Sequence, residues 1–189
     1  MSRQMRKTAV TKKRLFAGVC AFTFILTFLA LALLFTGEAR AGSLIKKGSE
    51  IPRFELRLAD GGSWKLAQEM GKSPLLLLYW SLYCDVCRED MPKIQRMYEK
   101  LGSSQVKVLA INGDGQSAAK LVQSYWQKQR FTFTSLLDEE TSDAFMVEGL
   151  LGVEKTPAVV LVNRAGMVLF SQEGKIDLHA LEEAIRKAS

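Results

Sequence analysis

Apolar and polar positions follow distinct rhythms along this chain, and each rhythm predicts a different element. Leu15 to Phe35 is a run of 21 residues without a charge, long enough to cross a hydrocarbon layer of about 30 Å as a helix. From Phe54 the pattern becomes strict alternation, Phe54-Glu55-Leu56-Arg57-Leu58, which predicts a half-buried strand. Asp60-Gly61-Gly62-Ser63 reads as a turn, and Trp64-Lys65-Leu66 as a short strand pairing back. After the break at Gly71-Lys72-Ser73-Pro74, Leu75 to Trp80 is apolar throughout, the pattern of a central strand covered on both faces.

Beyond Cys87 the period lengthens. Met91, Ile94, Met97, Tyr98 and Leu101 fall three or four apart, one stripe of a helix in which Pro92 should introduce a kink. Val106 to Ile111 is a second apolar strand, ended by Asn112-Gly113-Asp114-Gly115. Ser117 to Lys128 predicts a helix with Leu121, Val122, Tyr125 and Trp126 facing inward. Phe131 to Leu137 is extended up to Asp138, and Thr141 to Val147 is a candidate short helix. Ala158 to Val162 is a third central strand, Asn163-Arg164-Ala165-Gly166 a hairpin turn, and Met167 to Ser171 the return. Leu178 to Lys187 closes the chain as an amphipathic helix with Leu178, Leu181 and Ile185 at core spacing. Strands that alternate with helices and finish in a hairpin and a helix predict an α/β fold, a sheet with helices on both faces. Its middle strand-helix-strand unit should be a right-handed parallel crossover.

Charge divides the chain further. Of its 26 Lys and Arg, six (Arg3, Arg6, Lys7, Lys12, Lys13 and Arg14) precede the apolar run, and no acid occurs before Glu38. The remaining 20 basic and 20 acidic side chains cancel, so the net +6 is a topogenic signal and not a nucleic-acid footprint. The expected organisation is a cytoplasmic basic segment over 1–14, a transmembrane signal-anchor helix over 15–36, a small, polar tether over 37–49, and a folded domain over 50–189. By the positive-inside rule that domain lies on the extracytoplasmic side of the membrane. A cleaved secretory signal, with Ala39-Arg40-Ala41 as its processing site, is the alternative, and it puts the domain on the same side.

The candidate chemistry lies in Trp80-Ser81-Leu82-Tyr83-Cys84-Asp85-Val86-Cys87, where the first apolar strand gives way to a helix. Three cysteines are too few for a disulfide scaffold, and with His179 the single histidine a structural zinc site is excluded. No metal or other cofactor is expected. A helix start offers free N–H groups and a positive dipole end, which favour a thiolate. Cys84 is therefore the expected attacking group. Cys87, one turn on, is the expected resolving group that attacks the mixed disulfide and releases the product. Two buried structural cysteines would be the bland alternative. Asp85 either opposes ionisation of its neighbours or is a solvated first-turn acid. Thr156-Pro157 would place the Thr156 backbone beside the cysteines if its peptide bond were cis, although most such bonds are trans.

These motifs carry a family resemblance. From about Glu50 to Ser189 the chain resembles the TlpA/ResA-like thiol–disulfide oxidoreductases, or redoxins, of the thioredoxin fold. Ile51-Pro52-Arg53-Phe54-Glu55-Leu56 followed by Asp60-Gly61 is similar to the P-x-F-x-L…D-G opening of that family. Trp80 to Cys87 is similar to W-A-x-W-C-x-x-C, and Cys87-Arg88-Glu89-Asp90-Met91-Pro92 to C-x-x-E-x-P. Thr156-Pro157 falls at the family's cis-proline, and Asn163-Arg164-Ala165-Gly166 at its D-x-x-G hairpin. The resemblance implies a Cys84–Cys87 disulfide in the oxidised form and a substrate-binding surface of Trp80, Tyr83, Thr156 and cis-Pro157. It puts Asp90 at the place of a glutamate that relays protons. It further implies anchorage to the bacterial cytoplasmic membrane, with lipid contacting only the N-terminal helix. The implied partners are disulfide-containing exported proteins, apocytochromes c among them, and a membrane thiol electron donor. Tyr83 in place of tryptophan, Asp90 in place of glutamate, and the long approach Glu148 to Lys155 depart from the pattern.

Other functions compete. A peroxiredoxin-type peroxidase would use Ser81-x-x-Cys84, but the proline expected four residues before Ser81 is Leu77. A copper chaperone would need a C-x-x-x-C pair and a suitable histidine. A non-enzymatic module that holds a partner at the membrane surface would not need its cysteines.

Overall fold

The computed structural model describes residues 43–142 and 144–188, so the segments expected over 1–14 and 15–36 lie outside the described residues. Seven strands form one sheet: β1 (Glu55–Leu58), β2 (Ser63–Lys65), β3 (Leu75–Trp80), β4 (Lys107–Asn112), β5 (Thr134–Leu137), β6 (Ala158–Val162) and β7 (Val168–Glu173). Among the described residues four α-helices accompany them: α1 (Asp85–Leu101), α2 (Ala119–Gln129), α3 (Met146–Leu151) and α4 (Leu178–Ala188). The sheet order is β2-β1-β5-β4-β3-β6-β7. β3, β4 and β5 run parallel, whereas β6 lies antiparallel to β3 and β7 antiparallel to β6. This is the mixed α/β sheet that the resemblance predicts.

β3 shows why a strand without polar positions was required. Every residue from Leu75 to Trp80 is buried. Leu76, Leu78 and Trp80 pack in one core with Met91, Ile94 and Met97 of α1, Val122 of α2, and Leu181 and Ile185 of α4. Leu75, Leu77 and Tyr79 pack in a second core with Ile51, Phe54, Leu66, and Val147 and Leu151 of α3. Successive side chains of a strand point to opposite faces, so one apolar run serves two cores. The faces are unequal: three long helices cover one, and short α3 with the chain's opening segments covers the other.

The structure corrects three expectations. Leu121 is 58% exposed, because the inner stripe of α2 is centred on Val122, with Tyr125 and Trp126 beside it. The short helix predicted over Thr141 to Val147 is displaced to Met146–Leu151. Its N-terminus forms where the buried carboxylate of Asp138 accepts the N–H groups of Val147 (3.0 Å) and Glu148 (3.1 Å), satisfying donors that a helix start leaves free. The tether expected over 37–49 is docked along its described part. Ile45 N–H donates to the Leu151 carbonyl (2.8 Å), Gly48 N–H to Val168 (2.8 Å), and Val168 N–H to Ser49 (2.9 Å). Leu44 and Ile45 pack against the second core. Gly152 lies so close to Ser43 that a Cβ there would collide with its carbonyl oxygen. Pro92 is accommodated within α1.

The two exposure classes predict separate costs. Ile94→Ala, at a fully buried position, should lower unfolding free energy by about 2–5 kcal/mol. Leu121→Ala should change it by less than about 0.5 kcal/mol. Denaturant unfolding of both variants checks this, and equal losses would contradict the inward face assigned to α2.

Candidate active site

Helix α1 begins at Asp85, and the residue that caps it is Cys84. Cys84 has extended backbone geometry, and its sulfur accepts the Cys87 N–H at 3.1 Å. A helix start normally receives an oxygen from Ser, Thr, Asp or Asn at this position; here a sulfur occupies it. Cys84 and Cys87 are joined as a disulfide with Cα atoms 5.2 Å apart. Cys84 is half-buried and Cys87 fully buried, so only the first sulfur of the pair is open to a partner.

Thr156-Pro157 has a cis peptide bond, as the resemblance implied. The Thr156 carbonyl oxygen lies 3.4 Å from Cys84 Sγ. The approach to this loop is pinned by Glu173 at the end of β7, whose carboxylate accepts the N–H groups of Glu154 (2.7 Å) and Lys155 (3.3 Å). Gly174 N–H donates to the Pro157 carbonyl at 2.8 Å, closing the loop from its other side. The long approach Glu148 to Lys155 therefore contains the second half of α3 and a tied turn.

The loop from Ser81 to Tyr83 forms the opposite wall. Asp114, just after β4, accepts the Ser81 hydroxyl at 2.6 Å and the Leu82 N–H at 2.7 Å. Ser81 Oγ accepts the Tyr83 N–H at 3.1 Å, and Arg88 donates to the Leu82 carbonyl at 2.6 Å. Gly113 brings the β4 end against this region: its N–H donates to Trp80 O at 2.9 Å, and a Cβ there would meet the Tyr79 ring. Burial pushes the Tyr79 hydroxyl far above the usual phenol range, and the Asp138 and Glu148 charges add to it, so it stays a donor to Asp138 Oδ2.

Four sequence expectations meet different fates here. Tyr83, expected to contact substrate, is 76% exposed beside Cys84. Trp80 is fully buried, which corrects its assignment to the binding surface. The last residue of β3 points into the helix-covered core, where its ring lies 5.5 Å from Tyr125 and 5.7 Å from Trp126 between centroids. Asp90 is buried one turn beyond Cys87, and its oxygens meet Lys93 Nζ at 2.7 Å and the Ile176 N–H at 3.4 Å. Asp85 is 83% exposed and paired with Arg88, which fits the solvated first-turn acid and mutes its effect on the cysteines.

The sequence points to neither Asp114 nor Glu173, and to Ser81 only as part of the motif and of a peroxidase-like Ser-x-x-Cys spacing. The Asn112-Gly113-Asp114 turn was visible, but nothing in it tells which loop the carboxylate reaches. Among the described residues no group of His, Cys, Asp and Glu is arranged to hold a metal ion.

Comparison with known proteins agrees with this geometry. A sequence model of the AhpC/TSA family matches residues 47–171. The thiol-disulfide oxidoreductase ResA of Halalkalibacterium halodurans is 24% identical over 143 residues, covering 75% of this chain and 76% of the relative. ResA of Bacillus subtilis is 29% identical over 128 residues, 66% of each chain. A solved Chlorobium tepidum chain, described as a thiol:disulfide interchange protein DsbE, superposes with a TM-score of 0.65 at 28% identity, covering 77% of this chain and 99% of that one.

Burial separates the two aromatic residues of the motif. Trp80→Ala should cost about 3–5 kcal/mol of stability. Tyr83→Ala should leave stability within about 0.5 kcal/mol while slowing reaction with disulfide substrates. Denaturant unfolding alongside a disulfide-exchange assay checks both; an exchange rate unaffected by Tyr83→Ala would remove it from the binding surface.

Proposed function

Because the chain belongs to the AhpC/TSA family and is a ResA-like thiol–disulfide oxidoreductase, we propose that it reduces disulfides of exported proteins on the extracytoplasmic side of a bacterial cytoplasmic membrane. The observation that carries the chemistry is Cys84 Sγ seated at the start of α1, 3.1 Å from the Cys87 N–H, with its resolving partner buried behind it. The uncharged run Leu15 to Phe35 behind six cations supports the membrane placement. In such a compartment disulfides persist, and a dithiol supplied with electrons opens them.

The reaction has two exchanges. The Cys84 thiolate attacks one sulfur of the substrate disulfide, forming a mixed disulfide and expelling the other sulfur as a thiolate. Cys87 then loses its proton and attacks Cys84 Sγ, which forms the Cys84–Cys87 disulfide and releases the second substrate thiol. Two electrons pass to the substrate, and a membrane thiol donor restores the dithiol. Asp90, one helical turn beyond Cys87 and buried with it, is the group proposed to take the Cys87 proton. Tyr83 and the Thr156-Pro157 edge receive the substrate backbone beside the sulfur. The C-x-x-C-H haem sites of apocytochromes c are candidate substrates on the strength of the resemblance alone.

The reducing direction is supported by the few groups that would stabilise a thiolate. Asp85 and Arg88 neutralise each other at the helix start. The sulfur then depends on the helix N-terminus and the Cys87 N–H. A strong oxidant owes its potential to a strongly stabilised reduced form, and a sulfur held by these donors alone supports the reducing reading.

Trapping tests the reading. Cys87→Ala, expressed in its native membrane, should accumulate mixed disulfides through Cys84 that mass spectrometry identifies, whereas Cys84→Ala should form none. A Cys87→Ala protein that never acquires a covalent partner would contradict the proposal, and a Cys84→Ser protein with full function in cells would favour the non-enzymatic alternative.

A further inference from the structure

Cys84 can serve as both helix cap and nucleophile only if the three residues before it are held in one conformation. Ser81, Leu82 and Tyr83 belong to no helix or strand, yet their polar groups are tied (the Ser81 carbonyl accepts the Cys84 N–H at 3.3 Å). The Leu82 carbonyl takes Arg88, and the Leu82 N–H and Ser81 hydroxyl both go to one carboxylate, Asp114. Ser81 Oγ, oriented by donating to Asp114, in turn accepts the Tyr83 N–H. Asp114 is itself held: Asn112 Nδ2 donates to its Oδ2 at 2.9 Å, and its own N–H donates to Asn112 Oδ1 at 3.1 Å. Asn112 is fully buried at the end of β4. Three donors thus converge on one carboxylate through short, charge-assisted bonds, the strong kind of hydrogen bond.

We infer that Asp114 is a positioning residue for the exchange reaction: through Ser81 and Leu82 it fixes the Ser81–Tyr83 loop and so keeps Cys84 Sγ at the start of α1. The inference rests on the oxidoreductase reading for its rate effect, but not for its effect on the Cys84 thiol. Asp114 does not touch the substrate or the sulfur. A carboxylate suits this place because it accepts from all sides at once. An amide of the same shape has one accepting oxygen. With that oxygen kept on Leu82 N–H and Asn112, its NH2 group faces Ser81, whose hydroxyl must reverse from donor to acceptor, and the charge assistance of every bond is lost.

The electrostatic and positional effects of Asp114 have opposite signs. The charged groups around Cys84 are Asp85, Arg88, Glu89 and Asp90 on α1, Asp114 after β4, and Glu154 and Lys155 with Glu173 by the cis-proline loop. Removing the Asp114 charge would by itself favour the thiolate and lower the Cys84 pKa. Releasing the loop would withdraw the sulfur from the Cys87 N–H and the helix N-terminus, and raise it. Positioning predicts the rise.

The full-length reduced protein is compared with Asp114→Asn, Ser81→Ala and the double variant. The rate of iodoacetamide alkylation of Cys84 is followed against pH by mass spectrometry, beside the rate of disulfide reduction. The Asp114→Asn midpoint should rise by about one pH unit, with exchange slower by roughly tenfold. Ser81→Ala should shift both in the same direction by less, and the double variant should equal Asp114→Asn because the two residues act as one unit. An unchanged or lower midpoint in Asp114→Asn, or additive effects in the double variant, would overturn the inference. If Asp114→Asn does not fold, Ser81→Ala decides, and a wild-type midpoint there overturns it. A wild-type protein without exchange activity whose Cys84 midpoint still depends on Asp114 would instead overturn the oxidoreductase reading and leave this one standing.

Discussion

One contact sets the terms for the rest of the molecule: the Cys87 N–H directed at Cys84 Sγ, 3.1 Å away, at the start of α1. A helix start must satisfy N–H groups that have no partner within the helix. Filling that place with a sulfur converts a structural requirement into a chemical one, since the same donors that complete the helix also stabilise a thiolate. The cost is that Cys84 has no freedom to move. Its loop, the strand behind it and the proline loop opposite must all be held for the cap to persist.

The fold meets that demand from several directions. β3 is fixed between two parallel or antiparallel neighbours and buried on both faces, so its C-terminal end is a rigid platform. Trp80 anchors the platform from below in the aromatic group of α2, whereas Tyr83 is exposed at the rim. Two carboxylates then hold the two walls, Asp114 the Ser81–Tyr83 loop and Glu173 the approach to Pro157. The docked segment before the domain adds a further tie, because Ile45 binds the last residue of α3, from which the chain runs on to the proline loop.

Much of this was legible in the sequence because burial writes itself in apolar patterning. β3 and β6 fall on the predicted residues, since each is apolar at every position and bounded by turn residues. The cysteine pair and Thr156-Pro157 were visible as motifs, and the structure brings them within contact. Where the reading failed, the deciding interaction was long-range. The start of α3 is set by Asp138, a residue nine positions before Val147. Leu121 looked inward because periodicity alone does not distinguish the flank of a stripe from its centre. Trp80 stands among functional residues in its motif, but strand alternation directs it to the core. Asp114 and Glu173 left no signal, for an acid in a turn or at a strand end is the commonest of surface residues.

The proposed electron-donating role requires a Cys84 thiolate stabilised by the helix start and little else. The reduction potential of the Cys84–Cys87 couple, measured by equilibration with glutathione or thioredoxin buffers, tests this most directly. The account predicts a value on the reducing side, close to the ~−270 mV of thioredoxin. A value near the ~−120 mV of a strong oxidant would contradict it.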